Sequence, residues 1–169
     1  MIEFLWNNFF KSKNQSKIDF LKKQPLFSSL NNKELRIVEK FIHHRTYFSG
    51  EVIFKPGSSI GLYMIMKGKV QITYGENDSS NTVNFSQLGE EDFFGELSLV
   101  QDKGYHKTTA KALESSELLG FFKPELLSLI ETSPRLSARI LMKLSSVLGQ
   151  RLQKAGERLM ELHSTKDQS

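Results

Sequence analysis

The segment GEVIFKPGSSIGLYMIMKGKVQITYG, residues 50–75, decides the fold class of this 169-residue chain. It contains three short runs rich in Val, Ile, Met and Tyr, and glycine-containing turns separate one run from the next. β-branched and aromatic residues favour strands, and turn signals spaced roughly 8 to 12 residues apart are typical of an antiparallel sandwich or barrel. We therefore predict that a β-rich domain begins near Thr46.

The same pattern continues beyond this segment. Runs at TVNFSQL (82–88), HKTTAKAL (106–113) and ELLGFF (117–122) bring the expected number of strands to about eight. Tight turns between such strands often require a positive φ, which glycine adopts at no steric cost. We expect this conformation at the glycines of the strand ends, Gly50, Gly57, Gly61, Gly68 and Gly89.

Helices are predicted on both sides of the strands. A stretch from Asn31 to His43 can be capped by Asn31 or Asn32, and it directs apolar residues inward at helical spacing, namely Leu35, Val38 and Ile42. After the last strand, Pro124 is suited to the first turn of a short helix, PELLSLIET. Pro134 then opens a long helix that we expect to end near His163.

The long C-terminal helix carries an apolar stripe with nearly heptad spacing. From Leu141 onward the stripe comprises Leu141, Leu144, Leu148, Leu152, Ala155, Leu159 and Leu162. A small barrel cannot cover the whole length of such a stripe, whereas parallel pairing with a second copy can. The pattern therefore predicts a homodimer that forms through this helix.

The N-terminal segment is amphipathic, with Ile2, Leu5, Trp6 and Phe9 at helical spacing. We favour packing of this helix against the domain or a dimer mate. The alternative is a membrane-surface anchor, because lysines follow the aromatic residues. We divide the chain into this helix and linker (1–24), the β-rich domain with flanking helices (25–133), and the C-terminal helix and tail (134–169).

Composition narrows the class of protein. The chain has no cysteine, which excludes a disulfide framework and a thiol nucleophile and fits a cytoplasmic protein. No apolar run approaches the roughly 18 residues of a membrane-spanning helix. The net charge is +4, with an acidic centre and basic flanks, and the basic residues of the C-terminal helix are best explained as a solvated face.

Three motifs in order, GEVIFKPG (50–57), GLYMIMKGKV (61–70) and FGELSLV (94–100), resemble the signature of the cyclic-nucleotide-binding domain. The family includes catabolite-activator-type regulators and kinase regulatory subunits. The resemblance implies an α+β fold, namely an eight-stranded antiparallel β-roll (jelly roll) with N-terminal helices and a long C-terminal helix. It also implies cyclic AMP or cyclic GMP as a ligand.

The resemblance places the ligand site on FGELSLVQDKGYHKTT (94–109). Backbone N–H groups of Gly95, Leu97 and Ser98 would face the cyclic phosphate, and Glu96 would accept from the ribose 2′-hydroxyl. The phosphate-binding arginine of the family is replaced by His106. The adjacent residues Lys107 and Thr108 complete the predicted ligand contacts.

Two further departures bear on function. On the long helix, the family's pair of purine-capping hydroxyl residues is replaced by Ala155 and Gly156, neither of which has a hydrogen-bonding side chain. After that helix the sequence ends in STKDQS, without a helix-turn-helix, so we do not expect sequence-specific DNA binding.

Enzyme classes find little support. A metal-dependent β-roll enzyme needs clustered His and carboxylate ligands, but the adjacent His43 and His44 would point to opposite faces of a strand. No nucleophile elbow and no P-loop is present. We therefore predict a non-enzymatic regulatory protein that senses a cyclic nucleotide weakly and signals through a protein partner. The alternative is a nucleotide-independent interaction scaffold.

Overall fold

The computed structural model describes residues 17–58, 61–74, 83–101 and 108–166 of the chain. The predicted amphipathic segment at Ile2–Phe9 lies outside the described residues. The described part contains eight strands. Their bounds are β1 (His43–Tyr47), β2 (Val52–Phe54), β3 (Leu62–Lys67), β4 (Val70–Tyr74), β5 (Val83–Leu88), β6 (Phe93–Phe94), β7 (Thr108–Ala112) and β8 (Ser116–Phe121).

The strands form two four-stranded antiparallel sheets, in the orders β1-β8-β3-β6 and β2-β7-β4-β5. Most neighbours within a sheet are distant in sequence, as β1 pairs with β8 and β2 with β7. The predicted eight-stranded antiparallel fold is confirmed. Inward-facing residues of both sheets form the core of the β-roll, which includes Tyr63, Ile65, Phe94 and Leu118.

Two of the strands were not predicted individually. β1 has the polar sequence HHRTY, and its residues pair in register with β8, from His43 opposite Gly120 to Tyr47 opposite Ser116. β6 contains only two residues, which pair with Tyr63 and Met64. Neither segment has an alternating apolar pattern, so neither is recognisable as a strand from its sequence. Long-range pairing rather than local propensity places both in the sheet.

Four α-helices of the described residues flank the sheets. Residues 17–23 form α1, and the others are α2 (Asn32–Glu39), α3 (Lys123–Thr132) and α4 (Pro134–Lys166). The Asn31 side chain accepts from the N–H groups of Lys33 and Glu34, and Glu34 accepts in return from the Asn31 N–H. This capping box confirms Asn31 as the cap. The predicted helix end at His43 is wrong, because α2 ends at Glu39 and His43 begins β1.

The helices pack into a second apolar core outside the β-roll. Ile18 and Leu21 of α1 lie in this core with Leu35 of α2 and Leu129 of α3. The first half of α4 also contributes to this core, with three buried residues, Leu136, Ile140 and Leu144. The domain therefore covers one end of α4 through apolar contacts.

The second half of α4 leaves this core. The helix has 33 residues, which corresponds to a length of about 50 Å. Leu152, Leu159 and Met160 are 75%, 59% and 74% exposed. Among the described helices, none is long and apolar enough to cross a membrane.

The strand-end glycines serve two different purposes. Gly50, Gly57 and Gly68 have positive φ as expected. The expectation is wrong for Gly61 and Gly89, which do not adopt that conformation. At Gly61 the constraint is space instead, because a Cβ atom there would lie 2.3 Å from Cδ1 of Phe122.

Candidate ligand-binding site

A cavity with a volume of about 550 Å³ lies beside the β-roll core. Its wall combines strands of both sheets, the segment after β6, and one residue of α4. The lining residues are Phe54, Ile72, Tyr74, Ser86, Leu88, Phe93, Phe94, Gly95, Glu96, Leu97, Thr108 and Arg151. The volume lies within the range of about 300–1,000 Å³ that is typical of small-molecule sites.

The segment after β6 turns sharply at Gly95, whose φ of 80° is left-handed. A short 3-10 helix, Glu96–Leu99, follows directly. The Ser98 N–H donates to Gly95 O at 3.1 Å, and the Ser98 hydroxyl donates to the same oxygen at 2.5 Å. The first helical N–H groups, those of Glu96 and Leu97, have no partner inside a helix of this type. The turn is therefore suited to receive an anion at these two groups, while the Ser98 N–H is already engaged.

Glu96 is the buried charge of the site. The residue is 5% exposed, and its Oε1 accepts a hydrogen bond of 2.6 Å from Nη1 of Arg151. A buried carboxylate is costly unless a cation and hydrogen bonds compensate it. The Arg151 side chain, which is 46% exposed, supplies that compensation from α4.

Arg151 makes two more contacts with the strand before the turn. Its Nη2 donates to Phe93 O at 3.1 Å, and its guanidinium carbon lies 4.5 Å from the centre of the Phe93 ring. Such a cation–π distance is favourable for arginine. One side chain thus joins α4 to the strand, to the turn and to the buried carboxylate.

The inner wall of the cavity is aromatic. Phe54 and Phe94 line it, with ring centres 5.9 Å apart, and both stack on Tyr63 behind them. Burial raises the pKa of Tyr63 to about 12, with further contributions from the charge of Tyr47 and a hydrogen bond to it. Burial also raises the pKa of Tyr47. Both hydroxyls are therefore neutral near pH 7, so the wall is uncharged.

The structure places the predicted contacts unequally. Gly95, Glu96, Leu97 and Thr108 line the cavity, whereas Ser98 is buried beneath the turn. His106 and Lys107 lie outside the described residues. On α4, Ala155 is exposed and Gly156 is half-buried, and neither belongs to the described lining.

Arg151 was not predicted as a site residue, because the basic residues of α4 were expected to form a solvated face. Helical spacing could have predicted the position of Arg151. Residues four apart lie on one helix face, so a face that presents Ala155 to the cavity also presents Arg151. The aromatic lining by Phe54, Phe93 and Phe94 was missed as well, because alternation within strands does not tell a cavity wall from a filled core.

Metal binding finds no support in the described part of the chain, where no three His, Asp or Glu side chains are grouped closely enough to hold an ion. His43 and His44 instead pair separately with Glu125 and Glu117, at 2.7 Å and 3.1 Å.

Comparison with known proteins identifies the class of protein to which this fold and cavity belong. Residues 44–133 match the profile of the cyclic nucleotide-binding domain family. The chain belongs to this family, whose members include cyclic-nucleotide-binding regulatory domains. The resemblance inferred from the three sequence motifs is confirmed.

Individual relatives agree with this assignment. The cyclic AMP receptor protein of Thermus thermophilus is 31% identical over 136 residues, which are 80% of this chain and 60% of that protein. The crystal structure of the Thermus thermophilus catabolite activator protein matches with a TM-score of 0.69 and 31% identity, over 82% of this chain and 63% of that one. This chain therefore spans less than two thirds of either protein.

A third comparison extends the agreement in fold alone. The structure of a cyclic nucleotide-binding domain from Methylobacillus flagellatus matches with a TM-score of 0.72 at 18% identity, over 86% of this chain and 82% of that one. The arrangement of sheets and helices is thus shared at low sequence identity.

Proposed function

We propose that this chain is a non-enzymatic regulatory module that binds a cyclic nucleotide, cyclic AMP or cyclic GMP, in the cavity beside Gly95–Ser98. The observation that carries the proposal is the buried Glu96, held by Arg151 at the edge of a cavity with an aromatic wall. A ribose hydroxyl can donate to the carboxylate, the purine can lie against the aromatic rings, and the phosphate can accept from the first N–H groups of the 3-10 helix.

Weak binding follows from the replacement of the family arginine by His106. A hydrogen bond to a charged group contributes about 1.5–3 kcal/mol, which corresponds to roughly 10- to 150-fold in affinity. A neutral imidazole offers one donor where a guanidinium offers a charged fork. Lys107 and Arg151 are the two cations of the chain that we expect to compensate in part.

We also propose that the module is a homodimer and signals through contacts with another protein. The exposed half of α4 supports dimerisation, since Leu152 and Leu159 are seven residues apart and largely exposed. Seven-residue spacing places both on one seam of a coiled coil. Arg151 is adjacent to Leu152 on the same half of the helix, and its contact with Glu96 connects this seam to the cavity.

A nucleotide-independent scaffold is the second candidate. Glu96 already has a cation partner without any ligand, so a ribose hydroxyl has to share or displace Arg151. Ala155 and Gly156 also provide no side-chain hydrogen bond to a base. Under this proposal the protein binds a partner through the surface of α4 and through the predicted N-terminal amphipathic segment.

Calorimetric titration with cyclic AMP and cyclic GMP separates the two candidates. We expect saturable binding that is weaker than micromolar, and loss of binding in Glu96→Gln. The matched control is Glu90→Gln, since Glu90 is an exposed carboxylate that does not line the cavity. Absence of binding at millimolar ligand overturns the sensor and favours the scaffold.

A further inference from the structure

A groove lies along the first half of α4, beside the turns that follow α1, and has a volume of about 420 Å³. Five of its residues come from one side of α4, and one comes from the turns. The lining residues are Ser29, Ala138, Arg139, Met142, Lys143 and Ser146. The same stretch of helix is anchored in the helical core through Ile140 and Leu144, which are both buried. The groove is therefore formed on a helix whose position the domain already fixes.

Apolar surface is available in this groove. Met142 is 73% exposed, although it is a large apolar side chain. The Arg139 guanidinium donates to Glu34 and to Ser29 O, so its charge is engaged and its methylene groups remain as part of the wall. Lys143 is half-buried along the same wall. An apolar segment can thus lie against Met142 without displacing the ion pair of Arg139.

The N-terminal segment of the chain, which precedes the described residues, matches this groove. Its apolar residues fall on one helical face, namely Ile2, Leu5, Trp6 and Phe9. A helix over residues 2–9 is about 12 Å long, and residues 138–146 of the groove extend over about 13 Å of α4. The segment and the groove therefore agree in length and in apolar character.

The connection between this segment and the described chain is short. Residues 10–16 can span up to about 24 Å when extended, and they end at the start of α1. From there to Ser29, at the edge of the groove, the chain is compact, because backbone hydrogen bonds close three successive turns between Leu21 and Leu30. A segment on so short a tether has a local concentration on the order of millimolar. The tether therefore favours the chain's own segment over one from a second copy.

We propose that residues 2–9 dock as an amphipathic helix into the groove on α4 of the same chain, with their apolar face against Met142. Removal of apolar surface from water on both sides drives the contact. Met142 suits it, because a flexible thioether side chain adapts to an irregular apolar surface. The docked segment ties the N-terminus to the helix that carries Arg151.

Trp6 reports on docking, because it is the only tryptophan of the chain. We expect acrylamide to quench Trp6 fluorescence several-fold less in the full chain than in a peptide of residues 1–17. Ala138→Glu combined with Ser146→Glu places two charges in the groove and should restore peptide-like quenching. The matched control is Ser145→Glu combined with Gln150→Glu, which adds the same charge at exposed positions of α4 outside the groove lining. Peptide-like quenching in the unchanged chain, or equal quenching in the two double variants, overturns the proposal.

A spin label locates the segment independently. Since the chain has no cysteine, Met142→Cys can be labelled at a single site. We expect this label to broaden the amide NMR signals of residues 2–9. The control is a label on Met160→Cys, because Met160 is 74% exposed on the same helix and lies about 27 Å further along it. It should broaden these signals far less, and equal broadening from the two labels contradicts docking in the groove.

Other occupants of the groove and other sites for the segment give different results. Broadening that appears only between labelled and unlabelled copies shows that a second copy supplies the segment. A shift of Trp6 emission to shorter wavelength that requires phosphatidylserine vesicles shows that the segment binds a membrane surface. Either result overturns docking within one chain.

Discussion

Arg151 of α4 and Glu96 of the short 3-10 helix are 55 residues apart in sequence and form a hydrogen-bonded ion pair of 2.6 Å at the edge of the central cavity. Among the described residues, this ion pair links the cavity to the second half of α4. A ligand that contacts Glu96 would therefore also meet Arg151, the side chain that joins the second half of this helix to the cavity.

The contribution of the ion pair is measurable by a double-mutant cycle. We expect Arg151→Gln to lower the free energy of unfolding by about 1–3 kcal/mol, because it leaves the buried Glu96 without its charged donor. Glu96→Gln should cost less, since the Gln amide oxygen can still accept from the guanidinium. Urea unfolding of both single variants and the double variant gives the coupling energy, and a value near zero would show that the pair does not hold α4.

Restoring the family arginine should strengthen nucleotide binding. We expect His106→Arg to raise the affinity for cyclic AMP or cyclic GMP at least tenfold, from the strength of a charged hydrogen bond. Calorimetry measures the change. His163→Arg is the control, because His163 lies on the exposed far end of α4. An unchanged affinity in His106→Arg would mean that the segment after the 3-10 helix does not contact the ligand.

Dimerisation through α4 should depend on its exposed apolar seam. We expect Leu152→Glu combined with Leu159→Glu to weaken self-association at least tenfold, because four like charges would face one another across a parallel pair. Met142→Glu is the matched control, since Met142 is 73% exposed on the same helix but lies off the stripe. Sedimentation equilibrium measures the association constant. Equal association constants for the double variant and for the Met142→Glu control would exclude this seam as the interface.

The buried Tyr63 makes stability sensitive to alkaline pH. Its pKa is raised to about 12 in the folded chain from an unfolded value of 10.0, so the folded state keeps the proton longer. This stability is fully present below the unfolded pKa and is lost as pH rises from about 10 to about 12. We expect Tyr63→Phe to lose less stability over that window, by on the order of 2 kcal/mol. Denaturation of both proteins at several alkaline pH values tests this, and parallel losses would contradict it.

Gly61 should tolerate no side chain. A Cβ atom there would lie 2.3 Å from Phe122 Cδ1 and 2.8 Å from Phe121 O, so we expect Gly61→Ala to destabilise the chain by about 1–3 kcal/mol. Gly149→Ala is the control within α4, where a Cβ atom meets nothing within 4 Å. It should stabilise the helix by about 1 kcal/mol. Thermal unfolding of the two variants measures the change in Tm. Similar Tm shifts for Gly61→Ala and Gly149→Ala would show that Phe122 moves aside freely.

The local sequence was sufficient to predict the features that depend on interactions between neighbouring residues. Alternation and turn residues predicted strands β2, β3, β4, β5, β7 and β8 near their observed positions. The start of α2 was predicted at Asn31 or Asn32, and the structure shows that Asn31 is the cap, in a capping box that is closed within four residues. The three motifs also identified the family. The left-handed φ of Gly95, which suits glycine, was not predicted from them.

Tertiary structure decided the features that depend on distant partners. The polar strand β1 exists because its backbone pairs with β8, and Gly61 is needed because the Phe122 ring occupies the adjacent space. Arg151 reads as a surface residue in the sequence, yet α4 carries it to Glu96. Periodicity in the sequence predicts which face of a helix or strand is apolar. It does not predict which charged group, aromatic ring or strand packs against that face, because that partner is distant in sequence and is brought there only by the tertiary fold.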